Sequence, residues 1–252
     1  VIVTDGGDHF KLIEQHEHAQ ISGVIADYWP KQLFKGIDLR DDVIYAAYNH
    51  DCGWKALDAN PEWNGEKDAP YSFMTYPNEI KVKYYEAGID EVQKESDYAA
   101  LLCSMHYQSF FKNPTENDMV FGFISREIKR QNDIKARLEG QIQSDIVEFH
   151  FKLLQFCDDL SLYFCLNHPG TAKSNEIGMF QDGFRQIFDG IDEKIIANWV
   201  SDQAIEIKPF PFELSFPVTV SMKEIDKSVI DQMGIHDAYY QTDYSKRTAT
   251  FR

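Results

Sequence analysis

The run from Asp145 to Asn167 constrains this chain most. It is apolar on most sides, and a helix that is hydrophobic all round has to be covered all round. The segment must therefore be a central helix. In its middle stands Cys157-Asp158-Asp159-Leu160-Ser161. On a helix Asp158 has Phe151, Leu154, Ser161 and Cys165 as neighbours, whereas Asp159 has Lys152 and Gln155 on its side. Asp158 is the better candidate for a buried carboxylate, and such a group is costly unless something neutralises it.

Other polar residues stand on apolar stripes elsewhere. Ala46-Ala47-Tyr48-Asn49-His50-Asp51-Cys52-Gly53-Trp54 is a helix-like run stopped by a glycine. Adjacent side chains on a helix point about 100° apart, so His50 and Asp51 can share one edge, and Ile44, Ala46 and Ala47 mark it as core-facing. A helix predicted from Gln15 to Trp29, closed by Pro30, carries His18 on a stripe with Ile21, Ile25 and Trp29. His16 lies roughly 200° around from His18, so it is expected as a cap, a surface residue or a group at a pocket mouth. A third helix, Tyr98 to Phe111, places His106 with Ala99, Leu102, Cys103 and Phe110. Imidazoles and carboxylates suit Mn, Fe, Zn or Co, and Mg less well. Four helices packed about one pocket would bring His18, His50, Asp51, His106 and Asp158 to one or two divalent ions.

The fold class expected is mainly α: a helical bundle with a small β-sheet formed by the N-terminal hairpin and C-terminal strands. Val1–Thr4 and Phe10–Ile13 flank an Asp-Gly-Gly turn. Phe212 to Ser221 alternates apolar and polar residues, which predicts a strand, and Tyr239-Tyr240 and Thr248–Phe251 are further strand candidates. Helices are expected over Ile80–Glu95 and Asp192–Val200. A charged segment, Thr115 to Ser144, opens with a Thr-x-x-Asp start, and its Arg126, Lys129, Arg130, Lys135 and Arg137 read as a solvated face. The irregular stretch Leu57–Pro77 is long enough to cover a site. One domain is expected over 1–252, with residues 203–252 as a β-rich extension packed on it.

The charge of −16 argues against a nucleic-acid backbone or an anionic membrane surface as partner. A local metal could still draw a small anion. The four cysteines are scattered, with no CxxC pair, and three lie in apolar helical runs as buried free thiols of a reducing compartment. With no membrane-length apolar run and no signal-peptide pattern, the cytoplasm is expected. The chain begins at Val1, so an initiator methionine is expected to be missing.

The order His18, His50-Asp51, Asp158 on successive helices resembles the HD-domain superfamily of metal-dependent phosphohydrolases. The blocks Gln15-His16-Glu17-His18-Ala19, His50-Asp51-Cys52-Gly53-Trp54, Pro70-Tyr71-Ser72-Phe73, Ser104-Met105-His106 and Asp158-Asp159-Leu160-Ser161-Leu162 together look like an uncharacterised bacterial family with an HD-like helical core, over roughly residues 1 to 170. The resemblance implies His18, His50, Asp51 and Asp158 as metal ligands. It implies hydrolysis of a small phosphoester or phosphoanhydride by a metal-bound water, with Asp51 and His106 as catalytic groups and His106 also a candidate for a second metal. His16, Trp54, Tyr71 and Phe73 are substrate or pocket candidates, and Trp54–Tyr76 a lid. Where many HD hydrolases carry a lysine three residues beyond the aspartate, this chain has Trp54 followed by Lys55. A small, phosphorylated molecule is the expected partner, and a homodimer is possible. An HD-like di-iron oxygenase and a non-catalytic ligand-binding or regulatory module are the alternatives.

Overall fold

A computed structural model describes residues 1–111, 119–138, 140 and 142–252. The chain opens with strands β1 (Ile2–Asp5) and β2 (His9–Ile13), then helices α1 (Gln15–Tyr28), α2 (Arg40–Asn49) and α3 (Lys55–Asp58). A two-residue hairpin, β3 (Trp63–Asn64) and β4 (Ala69–Pro70), precedes α4 (Asn78–Gln93), α5 (Asp97–Gln108), α6 (Met119–Arg137) and α7 (Ser144–Leu166). After the short α8 (Gly178–Gln181) come β5 (Ile196–Ser201), β6 (Ala204–Lys208), β7 (Phe216–Asp226), α9 (Lys227–Gln241) and β8 (Ser245–Phe251).

The helical half follows the apolar stripes. Every residue of α7 from Phe156 to Leu166 is buried, as the all-round hydrophobicity requires. Helix α5 starts where the Ser96 hydroxyl accepts the Ala99 amide at 3.0 Å, an N-cap. The basic residues of α6 do form a solvated face. Arg126 pairs with Glu86, Lys129 with Asp133, Arg130 with Asp90 and Arg137 with Asp97. The Thr115-x-x-Asp start lies outside the described residues.

The sheet overturns the expected class. Six strands run in the order β1-β2-β7-β8-β6-β5, antiparallel except for the parallel pair β6/β8. With 53% helix and 18% strand the protein is an α/β mixture, not a mainly α bundle with a small sheet. One cause is the segment expected as a helix over Asp192–Val200. Its apolar residues fit either period, but Ile195, Ala197 and Trp199 are the buried ones, a spacing of two, and Ile196–Ser201 is a strand paired with β6. The alternation from Phe212 begins as a strand only at Phe216 and runs on to Asp226. Tyr239 and Tyr240 lie in helix α9, not in a strand.

Strand β7 is covered on both faces at different points. Phe216, Val218, Val220 and Met222 join the main core with α1 and α7, whereas Ile225 joins Phe10, Leu12, Ile230 and Ala238 beneath α9. Odd and even positions point to opposite faces, so one strand serves two cores.

Candidate metal centre

The five residues singled out on apolar stripes converge. His18 comes from α1, His50 from the cap just after α2, Asp51 from the cap of the 3₁₀ turn Cys52–Trp54 that follows, His106 from α5 and Asp158 from α7. All are 6% exposed or less. Two triads, His18/His50/Asp51 and His50/His106/Asp158, each hold their ligand atoms within 4.8 Å of one another.

Asp51 is aimed by a backbone contact. The turn Cys52–Trp54 lies against α4 so closely that a Cβ on Gly53 would stand 2.2 Å from the Tyr84 carbonyl oxygen, and one on Gly88 2.8 Å from the Gly53 nitrogen. Gly53 is therefore needed for close approach rather than to stop a helix. The carboxylate is then held on both sides. Gln15 Nε2 donates to Oδ2 at 3.1 Å and the Tyr107 hydroxyl to Oδ1 at 3.1 Å, with His18 Nε2 2.8 Å from Oδ2.

The imidazoles are oriented from behind. His50 Nδ1 donates to the Ala47 carbonyl at 2.8 Å, which leaves Nε2 facing inward, 3.4 Å from Asp158 Oδ1 and 3.9 Å from Asp51 Oδ2. His50 Nε2 is buried and has no hydrogen-bond partner. His18 Nδ1 is 2.8 Å from Ser161 Oγ, and the Ser161 hydroxyl donates to the Asp158 carbonyl at 2.8 Å. Toward His18 the serine can then only accept, from Nδ1–H, as it does from the Ser22 hydroxyl at 2.9 Å, so Nε2 is again the inward atom. His106 Nε2 lies 3.4 Å from Asp158 Oδ2, and its Nδ1 is buried without a partner. Outer hydrogen bonds that fix the tautomer are what metal-binding histidines need.

The electrostatics agree with a site that wants a cation. Burial opposes a charge on His50, but Asp51 and Asp158 outweigh it and raise its pKa to about 9. Burial works against ionisation of Asp158 too, yet His106 and His50 hold it well below the usual carboxylate range. Asp51 is lowered by His50 and His18 against the same burial. Asp159, on the next face of α7, meets Gln186 Nε2 at 2.8 Å and Arg185 at 3.4 Å. Burial and the neighbouring Asp158 push its pKa up to about 6.

The pocket candidates have other direct partners. His16 is half-buried on α1 and 3.1 Å from Gln20 Nε2. Burial and Lys55 lower its pKa to about 4. Trp54 is 1% exposed and packs against Tyr76 and Tyr85. Tyr71 stacks on Tyr76 at 4.8 Å, and Phe73 is half-buried with its amide on the Val1 carbonyl. The sequence reading had no place for Gln15, Tyr107, Ser161 or Ser22. The two serines carry a signal in retrospect, each one turn beyond a ligand candidate on the same apolar stripe.

The coarse reading is thus in place: a buried His/Asp cluster that could hold a metal ion. No helix is long and apolar enough to cross a membrane, among the described residues. Among curated proteins and among solved structures none matches this chain. Residues 1–227, from the first strand to the start of α9, match the family described as "Protein of unknown function (DUF3891)", and the chain belongs to that family.

Proposed function

We propose that this protein is a metal-dependent hydrolase of the HD type, acting on a small phosphoester or phosphoanhydride. The observation that carries the reading is His50. A hydrogen-bonded polar network kept only for structure leaves few buried nitrogens unpaired. Here Nε2 makes no hydrogen bond and faces two carboxylates, 3.4 Å from Asp158 Oδ1 and 3.9 Å from Asp51 Oδ2, while Nδ1 is already engaged.

The donor set, three imidazoles with Asp51 and Asp158, fits a transition ion such as Mn, Fe, Zn or Co better than Mg. His18, His50, Asp51 and Asp158 would hold it. Both triads include His50, and its Nδ1 is taken by the Ala47 carbonyl, so Nε2 is the one nitrogen they would share; this favours one ion over two, and so a hydrolase over a di-iron oxygenase. When bound, a divalent ion lowers the pKa of a water and polarises a phosphoryl oxygen. Tyr107 and Gln15 hold the Asp51 carboxylate in one orientation. Asp51 would take a proton from the attacking water. His106 would hand one to the leaving group.

Elemental analysis of the purified protein beside His50→Ala tests the reading. About one equivalent of transition metal in the wild type, lost in the variant, is expected, with turnover on a phosphoester panel that disappears in Asp51→Ala. Stoichiometric metal without turnover would favour the ligand-binding module. No metal after reconstitution would sink the proposal.

A further inference from the structure

Lys81 stands in the second turn of α4 and is half-buried. Its Nζ reaches the Phe73 carbonyl at 3.4 Å, and among the described residues no carboxylate lies within ion-pair distance of it. In a chain with 41 acidic and 25 basic residues, a half-buried cation without an anion is conspicuous. It lines a cavity of about 240 Å³ with Phe73, Met74, Tyr85, Phe110 and Phe111.

Two rings in the wall of that cavity lead toward the metal centre. Phe110, nearly half exposed, sets its ring edge-to-face on His106 at 4.8 Å. Tyr85 stacks at 4.0 Å on Tyr107, whose hydroxyl binds Asp51. The cavity is therefore separated from His106 by one side chain, Phe110, and from Asp51 by two, Tyr85 and Tyr107. Its space suffices for a ring, since an apolar cavity of roughly 150 Å³ already holds benzene. Its walls offer faces and edges for stacking, and the lysine offers a charge.

We propose that this cavity binds the non-reacting part of the substrate, an aromatic or heteroaromatic ring bearing an anionic group that pairs with Lys81; the word substrate here rests on the hydrolase reading. Phe110 would separate the bound ring from His106, so that the reacting bond projects past it toward the cluster. The reading narrows the substrate class from small phosphoesters in general to those carrying an aryl group with a second anion.

The test uses sulfonates, which stay anionic at all ordinary pH values and are poor metal ligands. The protein as purified is titrated with benzenesulfonate and with methanesulfonate by ligand-observed NMR. Benzenesulfonate is expected to bind at least about ten-fold more tightly than methanesulfonate. Lys81→Gln should weaken it about ten-fold or more, and Phe110→Ala should weaken it too, with metal content unchanged in both. Equal binding of the two sulfonates, or wild-type affinity in Lys81→Gln, overturns the proposal while leaving the metal centre standing. Binding of benzenesulfonate through Lys81 in a protein that takes up no metal upholds the cavity and overturns the hydrolase reading alone.

Discussion

Replacing His150 by glutamine should make the protein less sensitive to acid. His150, on α7, is fully buried. Its Nε2 donates to the Lys35 carbonyl at 2.7 Å, and its Nδ1 lies 2.6 Å from the Tyr98 hydroxyl at the start of α5. Burial lowers its pKa to about 4, with the Lys35 carbonyl and Asp42 opposing. In the unfolded chain a histidine titrates near 6.5. Between those values the unfolded state holds a proton that the folded state refuses, so stability falls as pH falls. The contribution is intact above pH 6.5 and is lost on the way down to 4. From pH 7.5 to 4.5 the loss works out at about 2 to 3 kcal/mol, at about 1.4 kcal/mol per pKa unit. Other groups titrate in this range as well, but they are common to both proteins and cancel in the comparison. Urea unfolding of wild type and His150→Gln at the two pH values, followed by fluorescence and circular dichroism together, reads the difference. The wild type should lose about 2 to 3 kcal/mol more than the variant on acidification, on the order of 1 M in the urea midpoint. Equal losses would refute the argument that His150 folds as a neutral imidazole.

The remaining expectations use the same physics. Gly88→Ala forces a Cβ against the Gly53 backbone, so it should cost about 1 to 3 kcal/mol by overpacking and should weaken metal uptake by moving Asp51; an unchanged melting temperature would count against the close contact. Arg247 donates to the carbonyls of Phe164, Cys165 and Asn167 at the end of α7, and Arg247→Met should cost about 3 kcal/mol or more by leaving them unpaired, which denaturant unfolding will read. Cys103, Cys157 and Cys165 are buried, and burial raises the thiol pKa of all four cysteines, that of Cys52 to about 11. Ellman's reagent should therefore find no rapidly reacting thiol in the native protein and four in urea; a fast native thiol would contradict the packing.

The site was legible where a polar residue interrupts an apolar stripe. His18, His50, Asp51, His106 and Asp158 each broke a helical pattern, and helical periodicity reports burial before any tertiary contact is known. What periodicity does not report is partnership across the chain. Gln15 reaches Asp51 over 36 residues and His18 reaches Ser161 over 143, and no local rule links such pairs. His150 was unremarkable in sequence for the same reason, since its partners are a distant tyrosine and a loop carbonyl. The fold class failed on short segments. A run such as Ile195-Ile196-Ala197-Asn198-Trp199 satisfies both a helical and an alternating pattern, and pairing with β6 decides between them.

That correction bears on the site as well as on the class. Helix α1, which carries His18, is fixed to the sheet at its first turn, where Glu17 accepts the Ser221 amide of β7 at 3.1 Å. Glu14, just before it, accepts the hydroxyl of Tyr239 from α9 at 2.8 Å, and that of Tyr244 as well. Helix α7, which carries Asp158, is held at its far end by Arg247 of β8. A bundle alone would position its helices by side-chain packing, which tolerates small sliding between helices. Here two of the helices that bear the cluster are tied by directional hydrogen bonds to strands and a helix from the last part of the chain. Ligand atoms must be held to within about 0.5 Å to bind a metal selectively. The C-terminal strands are thus part of what holds the helices that carry His18 and Asp158 in place.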